Sequence, residues 1–175
     1  TYDAAKWDSA RVAAKKFIDL YVPNMYSLYR VGTDGKTYTG TDGQLYDPYI
    51  SYRETVRGEG FDNPEMIFYR IQCNASYFQY EETPFHSGAP SNEYKGSGGK
   101  SATQEIVDLY FTKNGLRIDD DATYAASGMS TASYKDPFLA SRVFAPINTY
   151  KPWTNREPRF YADITFNNSV WLKTD

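Results

Sequence analysis

One histidine and one cysteine are all this chain holds of the two residue types that most often carry nucleophilic or zinc chemistry. An ordinary zinc site needs three or four His and Cys ligands, so that site is excluded. His86 would be the sole base for a Ser or Cys triad; it lies in an aromatic segment, where a polar contact to ligand or solvent suits it better. Cys73 has no partner for an intramolecular disulfide. In the run Met66 to Cys73 it reads as a small buried hydrophobe, with no His or Lys cluster nearby to lower its pKa. No cofactor is expected.

Long apolar runs are missing as well, and a bilayer-spanning helix needs roughly 20 such residues. No secretory leader is visible and the first residue is Thr1, so the chain is expected to be a piece or processed product of a longer one. Charge of one sign is also lacking: 19 Lys and Arg face 22 Asp and Glu, for a net charge of -3. Nucleic acid is therefore not expected as a partner, because neutralising phosphates takes a concentrated basic face. Gly96-Ser97-Gly98-Gly99-Lys100-Ser101 ends like a phosphate-binding loop but has Tyr94 where the first glycine belongs. It is expected to be a flexible lead into a helix. Glu81-Glu82 and Asp119-Asp120-Asp121 supply carboxylates, yet adjacent acids on a loop read as solvated turn residues rather than the facing pair of a glycosidase. The chain is not expected to be an enzyme.

What is abundant is aromatic: 17 Tyr, 10 Phe and 3 Trp. With leucine and valine scarce, Tyr and Phe must fill much of the core, and every buried phenol needs a hydrogen-bond partner. Some tyrosines should therefore stand outside, where they stack on a ligand at little cost in side-chain entropy.

Along the chain, Trp7, Ala10, Ala14, Phe17, Ile18 and Tyr21 recur at three- and four-residue steps, predicting an amphipathic helix capped by Asp3 and stopped at Pro23. Thr33 to Tyr38 and Thr41 to Tyr46 are similar hexads with Asp-Gly turns, read as a loop or hairpin; a calcium loop lacks its terminal Glu. Residues 47–57 can hold a partner helix. Asn63-Pro64-Glu65 predicts a turn into a short strand or extended buried segment over residues 66–71. Residues 74–100 show no period and read as a long aromatic loop. Ser101 with Gln104 fits a capping box for a helix to about Phe111, presenting Ile106, Leu109 and Tyr110 to a core. Asn114-Gly115 closes it. Residues 119–147 read as loop with short helical pieces around Pro137-Phe138-Leu139. The alternation Phe160, Ala162, Ile164, Phe166 predicts a half-buried strand, turned back at Asn167-Asn168 toward Val170 and Trp171.

Two stretches are more specific. Ser101-Ala102-Thr103-Gln104-Glu105-Ile106-Val107-Asp108-Leu109-Tyr110, followed by Asn114-Gly115, and Asn155-Arg156-Glu157-Pro158-Arg159-Phe160-Tyr161-Ala162-Asp163-Ile164 resemble, in order and spacing, motifs of the SusD/RagB family. Alanine stands at position 102 where the family more often has proline. The resemblance implies a mainly α fold with irregular loops and short β-strands: a tetratricopeptide-type helical scaffold, with residues 1–60 as part of a helical hairpin carrying an inserted loop, and residues 61–175 as a loop-rich C-terminal portion. It also implies a lipid-anchored receptor on the outer surface of Bacteroidetes-type bacteria, its anchoring cysteine outside this chain, which captures oligosaccharides or peptides for a SusC-like TonB-dependent outer-membrane transporter.

Tyr77, Phe78, Tyr80, Phe85 and Tyr94, with Asn92 among the edge groups, have the composition of a sugar platform, since a pyranose offers apolar C-H faces and a rim of hydroxyls. Their position before the Thr-Gln-Glu helix matches where the family places ligand aromatics. A surface that docks on the transporter or another protein would use similar residues. Arg156 and Arg159 are expected to be structural, at least one bridging to Glu105 or Asp108 and so locking the two motifs together.

Overall fold

The structure is a computed structural model that describes residues 2–22, 24–31, 38–39, 45–57, 63–68, 75–85, 96–137, 139 and 141–169. Helix α1, Ala4–Tyr21, forms as its periodicity predicts, with the Asp3 carboxylate accepting from the Ala5 N-H at 3.0 Å. Its far end closes by a bond from the Val22 N-H to the Ile18 carbonyl; Pro23 lies outside the described residues. None of its residues is buried, and Trp7, Val12, Ile18 and Leu20 are each more than half exposed. Phe17 has two ring neighbours, Tyr21 and Tyr26, at 5.1 and 5.5 Å.

Strands β1 (Tyr38–Thr39) and β2 (Leu45–Tyr46) pair antiparallel, the hairpin expected around the Asp-Gly turns, which themselves lie outside the described residues. Helix α2, Pro48–Arg57, follows at once. Proline is favourable in the first helical position because its missing N-H has no intrahelical partner to lose. Asp47, fully buried, accepts from the Ile50 N-H at 2.9 Å and starts the helix. Its strongest packing is against α5, Pro158–Asp163, which draws this part of the first sixty residues into the C-terminal portion.

The turn at Asn63-Pro64-Glu65 is present, with Glu65 Oε1 accepting from the Tyr29 N-H at 2.7 Å. The buried segment expected after it is corrected at Ile67 and Phe68, which are 62% and 88% exposed; residues 69–71 and Cys73 lie outside the described set. The long loop expected over residues 74–100 is corrected too. Helix α3, Ala75–Glu82, forms inside it, and Gly96-Ser97-Gly98 supplies its cap: Ser97 N-H and Gly98 N-H donate to the Tyr80 and Thr83 carbonyls. Gly96 has φ +69°, and a Cβ there would lie 2.3 Å from the Thr83 carbonyl oxygen, so only glycine fits. The glycine run is thus a cap for α3 rather than a flexible lead.

Helix α4, Gln104–Leu109, is capped by Thr103 and not Ser101, its Oγ1 accepting from the Ile106 N-H. The expected inward face holds at Tyr110, which packs on Phe160, and is corrected at Ile106 and Leu109, which are 50% and 67% exposed while Val107 is buried. Between residues 119 and 147 the described residues form a hairpin, β3 (Tyr134–Lys135) against β4 (Val143–Ala145), and Phe138, in the expected helical piece, lies outside them. Asp121 is no solvated turn residue. It is buried and accepts from Thr112 Oγ1, Asn114 Nδ2 and both the N-H and Oγ1 of Thr123, and these bonds, from Thr112 above all, hold its carboxyl well below the usual carboxylate range.

The strand expected over Phe160–Phe166 is helix α5 up to Asp163, because Pro158 sits in its first turn and no neighbouring strand offers a ladder among the described residues. The two-residue alternation survives as burial only from Ala162 on, where Ala162, Ile164 and Phe166 are half-buried while Asp163 and Thr165 are exposed; Tyr161, on the expected outward side, packs into the core. Ser169 N-H donates to the Phe166 carbonyl with Asn168 in the left-handed region at φ 72°, the turn expected at Asn167-Asn168. Among the described residues, no helix is long and apolar enough to cross a membrane.

The core is aromatic. Phe144 and Tyr161 stack with centroids 4.3 Å apart, Tyr49 and Tyr134 flank Phe144, and Phe160, Phe166 and Trp153 continue the cluster at 5.1–5.8 Å spacings. The Tyr161 hydroxyl donates to the Trp153 carbonyl and accepts from the Arg156 N-H, so its burial leaves no polar atom stranded. Burial pushes Tyr134 up to about 12 and raises Tyr161 further. The folded phenols keep protons that the unfolded chain loses above about pH 10, so stability falls as pH rises through the interval up to the folded value. Tyr134→Phe is expected to flatten that alkaline slope. Urea midpoints of both chains at about pH 9 and about pH 11 check it: an unchanged slope contradicts the assignment.

Candidate functional site

The two sequence motifs meet along a short ladder. Thr112 bridges Arg156 antiparallel, Lys113 N-H donates to the Asn155 carbonyl, Glu157 N-H donates to the Phe111 carbonyl, and Glu157 Oε1 accepts from the Phe111 N-H. Asn155 enters this ladder at φ 55°, a left-handed position that asparagine tolerates better than most residues. The backbone turn there sends the Arg156 side chain inward.

Arg156 is 1% exposed. Its Nη2 donates to the carbonyls of Val107 at 2.6 Å and Tyr110 at 2.8 Å, and its Nη1 to the Tyr124 hydroxyl and the Pro152 carbonyl, both at 3.4 Å. The guanidinium lies over the Phe160 ring at 5.1 Å. The expected lock between the motifs is therefore real but its chemistry is corrected. The arginine holds carbonyls at the end of α4, groups a helix terminus leaves without donors, in place of Glu105 or Asp108. Arg159 pairs with Glu157 at 2.6 Å.

Above this arginine opens a cavity of about 510 Å³, within the range of small-ligand pockets. Tyr124, Tyr150 and Trp153 are its aromatic lining, and Gln104, Asp108 and Asp119 its polar one. Tyr150 and Trp153 meet edge to face, centroids 5.2 Å apart at 75°. Both belong to one short device. Tyr150 pairs with Met129, Lys151 N-H donates to the carbonyl of Gly128 at φ 89°, and the 3₁₀ turn Lys151–Trp153 carries the indole round beside the phenol. Gln104 Nε2 donates to Asp108 Oδ1 at 2.7 Å across one turn of α4, fixing an amide and a carboxylate side by side at the rim. Burial raises Tyr124, so it stays a neutral donor and acceptor there. An apolar wall beside fixed donors and acceptors is what a pyranose ring and its hydroxyls require.

A second groove, about 290 Å³, runs between α2, α4 and α5. The hydroxyls of Tyr52 and Tyr110 both donate to Asp163 Oδ2, at 2.8 and 2.7 Å, clamping α2 and α4 to α5. Burial raises the Tyr110 phenol, with the Asp163 hydrogen bond adding to it.

Of the residues expected to contact ligand, Tyr77 and Tyr80 share one side of α3 and are 63% and 40% exposed, and Phe85 just beyond is 64% exposed. The Phe78 side chain, Asn92 and Tyr94 lie outside the described residues, as does His86. The cavity aromatics Tyr124, Tyr150 and Trp153 escaped the sequence reading. Their one local signal is Tyr150-Lys151-Pro152-Trp153, two large rings flanking a proline directly before the second motif.

A family model described as SusD family matches residues 64–175. No curated protein and no solved structure matches the chain.

Proposed function

The chain belongs to the SusD family of nutrient-binding outer-membrane proteins, and on that premise we propose that it captures oligosaccharides at the cell surface and hands them to a SusC-like TonB-dependent transporter. Proteins of this family are binding proteins rather than enzymes. The observation that carries glycan capture is the cavity where Tyr150 and Trp153 stand edge to face beside Gln104, Asp108 and Asp119. The exposed rings of Tyr77, Tyr80 and Phe85 on and after α3 serve as an outer platform that meets the glycan before the cavity does. Helix α1, its apolar side outward, fits one half of a tetratricopeptide-like hairpin, and a lipid anchor outside this chain holds the protein to the outer membrane.

Trp153→Ala is expected to weaken retention of a bound oligosaccharide at least about tenfold, since an aromatic platform contributes on the order of 1–3 kcal/mol through burial and stacking. Tyr77→Ala with Tyr80→Ala should cost less, because those rings cover only one side of a ligand. Affinity electrophoresis and isothermal titration against a panel of oligosaccharides and peptides, in the full-length parent, supply the measurement. Unchanged retention in Trp153→Ala removes the cavity from the reading. The second reading, a docking module that meets the transporter without touching glycan, is favoured by the openness of Tyr77 and Phe85. It predicts that substitutions there weaken transporter association and leave glycan retention intact.

A further inference from the structure

We propose that the cavity selects glycans by charge, admitting neutral and amino sugars and turning away uronates and sulfated sugars. This rests on the capture reading and adds a rule for which class of glycan enters. Two carboxylates line the space, Asp108 and Asp119. Among the described residues, the one cation in the lining is Arg156, and its donors are already committed: two N-H groups to the carbonyls of Val107 and Tyr110, another pair of contacts to Tyr124 and Pro152. Its remaining nitrogen, Nε, makes no hydrogen bond but is sealed from solvent, so no ligand carboxylate reaches it. An arriving anion therefore finds no free guanidinium fork of the kind that acidic-ligand sites use.

It finds instead two aspartates at the polar side of the cavity, Asp108 half-buried and Asp119 exposed, whose like charge repels it. A neutral sugar meets the same aspartates as acceptors for its hydroxyls, and charge-assisted bonds of that kind are the stronger ones. An ammonium group on an amino sugar gains further from Asp108, Asp119 and the faces of Tyr150 and Trp153. Gln104, bonded to Asp108, keeps that carboxylate at the rim.

The test is isothermal titration of the full-length protein with backbone-matched pairs: galactan against polygalacturonate oligomers, mannan against alginate oligomers, plain against glucuronate-branched xylan oligomers, with chitosan oligomers as the cationic arm. For every backbone that binds, the neutral member is expected to bind at least about tenfold more tightly than the acidic one, because juxtaposed like charges discriminate strongly between partners. Asp108→Asn with Asp119→Asn is expected to shrink that ratio to about threefold or less, chiefly by improving the acidic member. Equal or tighter binding of acidic oligomers by the unaltered protein overturns the charge rule and leaves capture standing. A ratio that the double variant does not move overturns it as well. If no oligomer of any charge is retained, capture itself fails and the charge rule with it.

Discussion

Arg156→Ala is expected to lower the unfolding free energy by about 3–5 kcal/mol, a large share of what an ordinary domain has. The change strands the Val107 carbonyl, a buried acceptor whose lost partner costs roughly 1–3 kcal/mol, and the part-buried Tyr110 carbonyl beside it at the end of α4. It also removes the cation from the face of Phe160 and empties the floor of the cavity. The two motifs would then be joined by the short ladder between Phe111 to Lys113 and Asn155 to Glu157, and by Tyr110, whose hydroxyl donates to Asp163 and whose ring meets Phe160. Arg156→Lys should recover only about half of the loss, because an ammonium is a point donor and cannot reach two carbonyls and a phenol in a fixed fork. Urea unfolding followed by circular dichroism gives both numbers. A loss below about 1 kcal/mol in the alanine variant would mean that the guanidinium is a passenger and that the ladder and the Tyr110 contacts hold the motifs.

This arginine also shows what a sequence can and cannot announce. Its motif was legible, and so was its structural role, yet its partners were not. Side-chain acids at Glu105 and Asp108 are the visible candidates in a string of letters, whereas the carbonyls that terminate a short helix carry no letter at all. The same limit recurs at α3. Its cap comes from Gly96-Ser97-Gly98, more than a dozen residues downstream, and the local signals at Asn74 and Pro84 bracket a segment with no clear period to go with them. Local chemistry was legible wherever it decided the outcome alone, as at Asp3 before α1, Asn63 before its turn and Asn168 after α5.

Where two local signals competed, distance along the chain chose wrongly. Ser101 and Thr103 both offer a hydroxyl to the α4 terminus, and Thr103, one residue from the first helical position, is the cap. At Phe160 to Phe166 an alternating pattern suggested a strand while Pro158 marked a helix start. Proline governed the backbone, and the alternation governed only which side chains the core covers. The cavity lay beyond any such reading, since its walls come from α4, the loop around Tyr124 and the 3₁₀ turn at Trp153, brought together by the buried arginine between them.

The second large effect lies at a half-buried arginine. Arg142 sits between two fully desolvated carboxylates, bonding Asp47 through Nη2 at 3.0 Å and Asp136 through Nη1 at 2.5 Å, with its guanidinium 4.8 Å from the Tyr49 ring centre. Asp47 begins α2 and Asp136 lies beside β3, so this one cation ties the helix carrying Tyr49 and Tyr52 to the C-terminal hairpin. Arg142→Ala is expected to cost about 3–5 kcal/mol, because it takes from two buried negative charges the cation they share, and breaking a buried pair from one side is far costlier than never having built it. The cause is separable from lost packing by adding Asp136→Asn. If stranded charge dominates, the double variant should be more stable than Arg142→Ala alone, whereas Asp136→Asn by itself should be destabilising; that reversal of sign is a coupling contacting residues can show and distant ones cannot. Denaturant midpoints for the four chains of the cycle measure it. Additive losses would place the energy in the contacts of the arginine stem with Tyr49 and not in its charge.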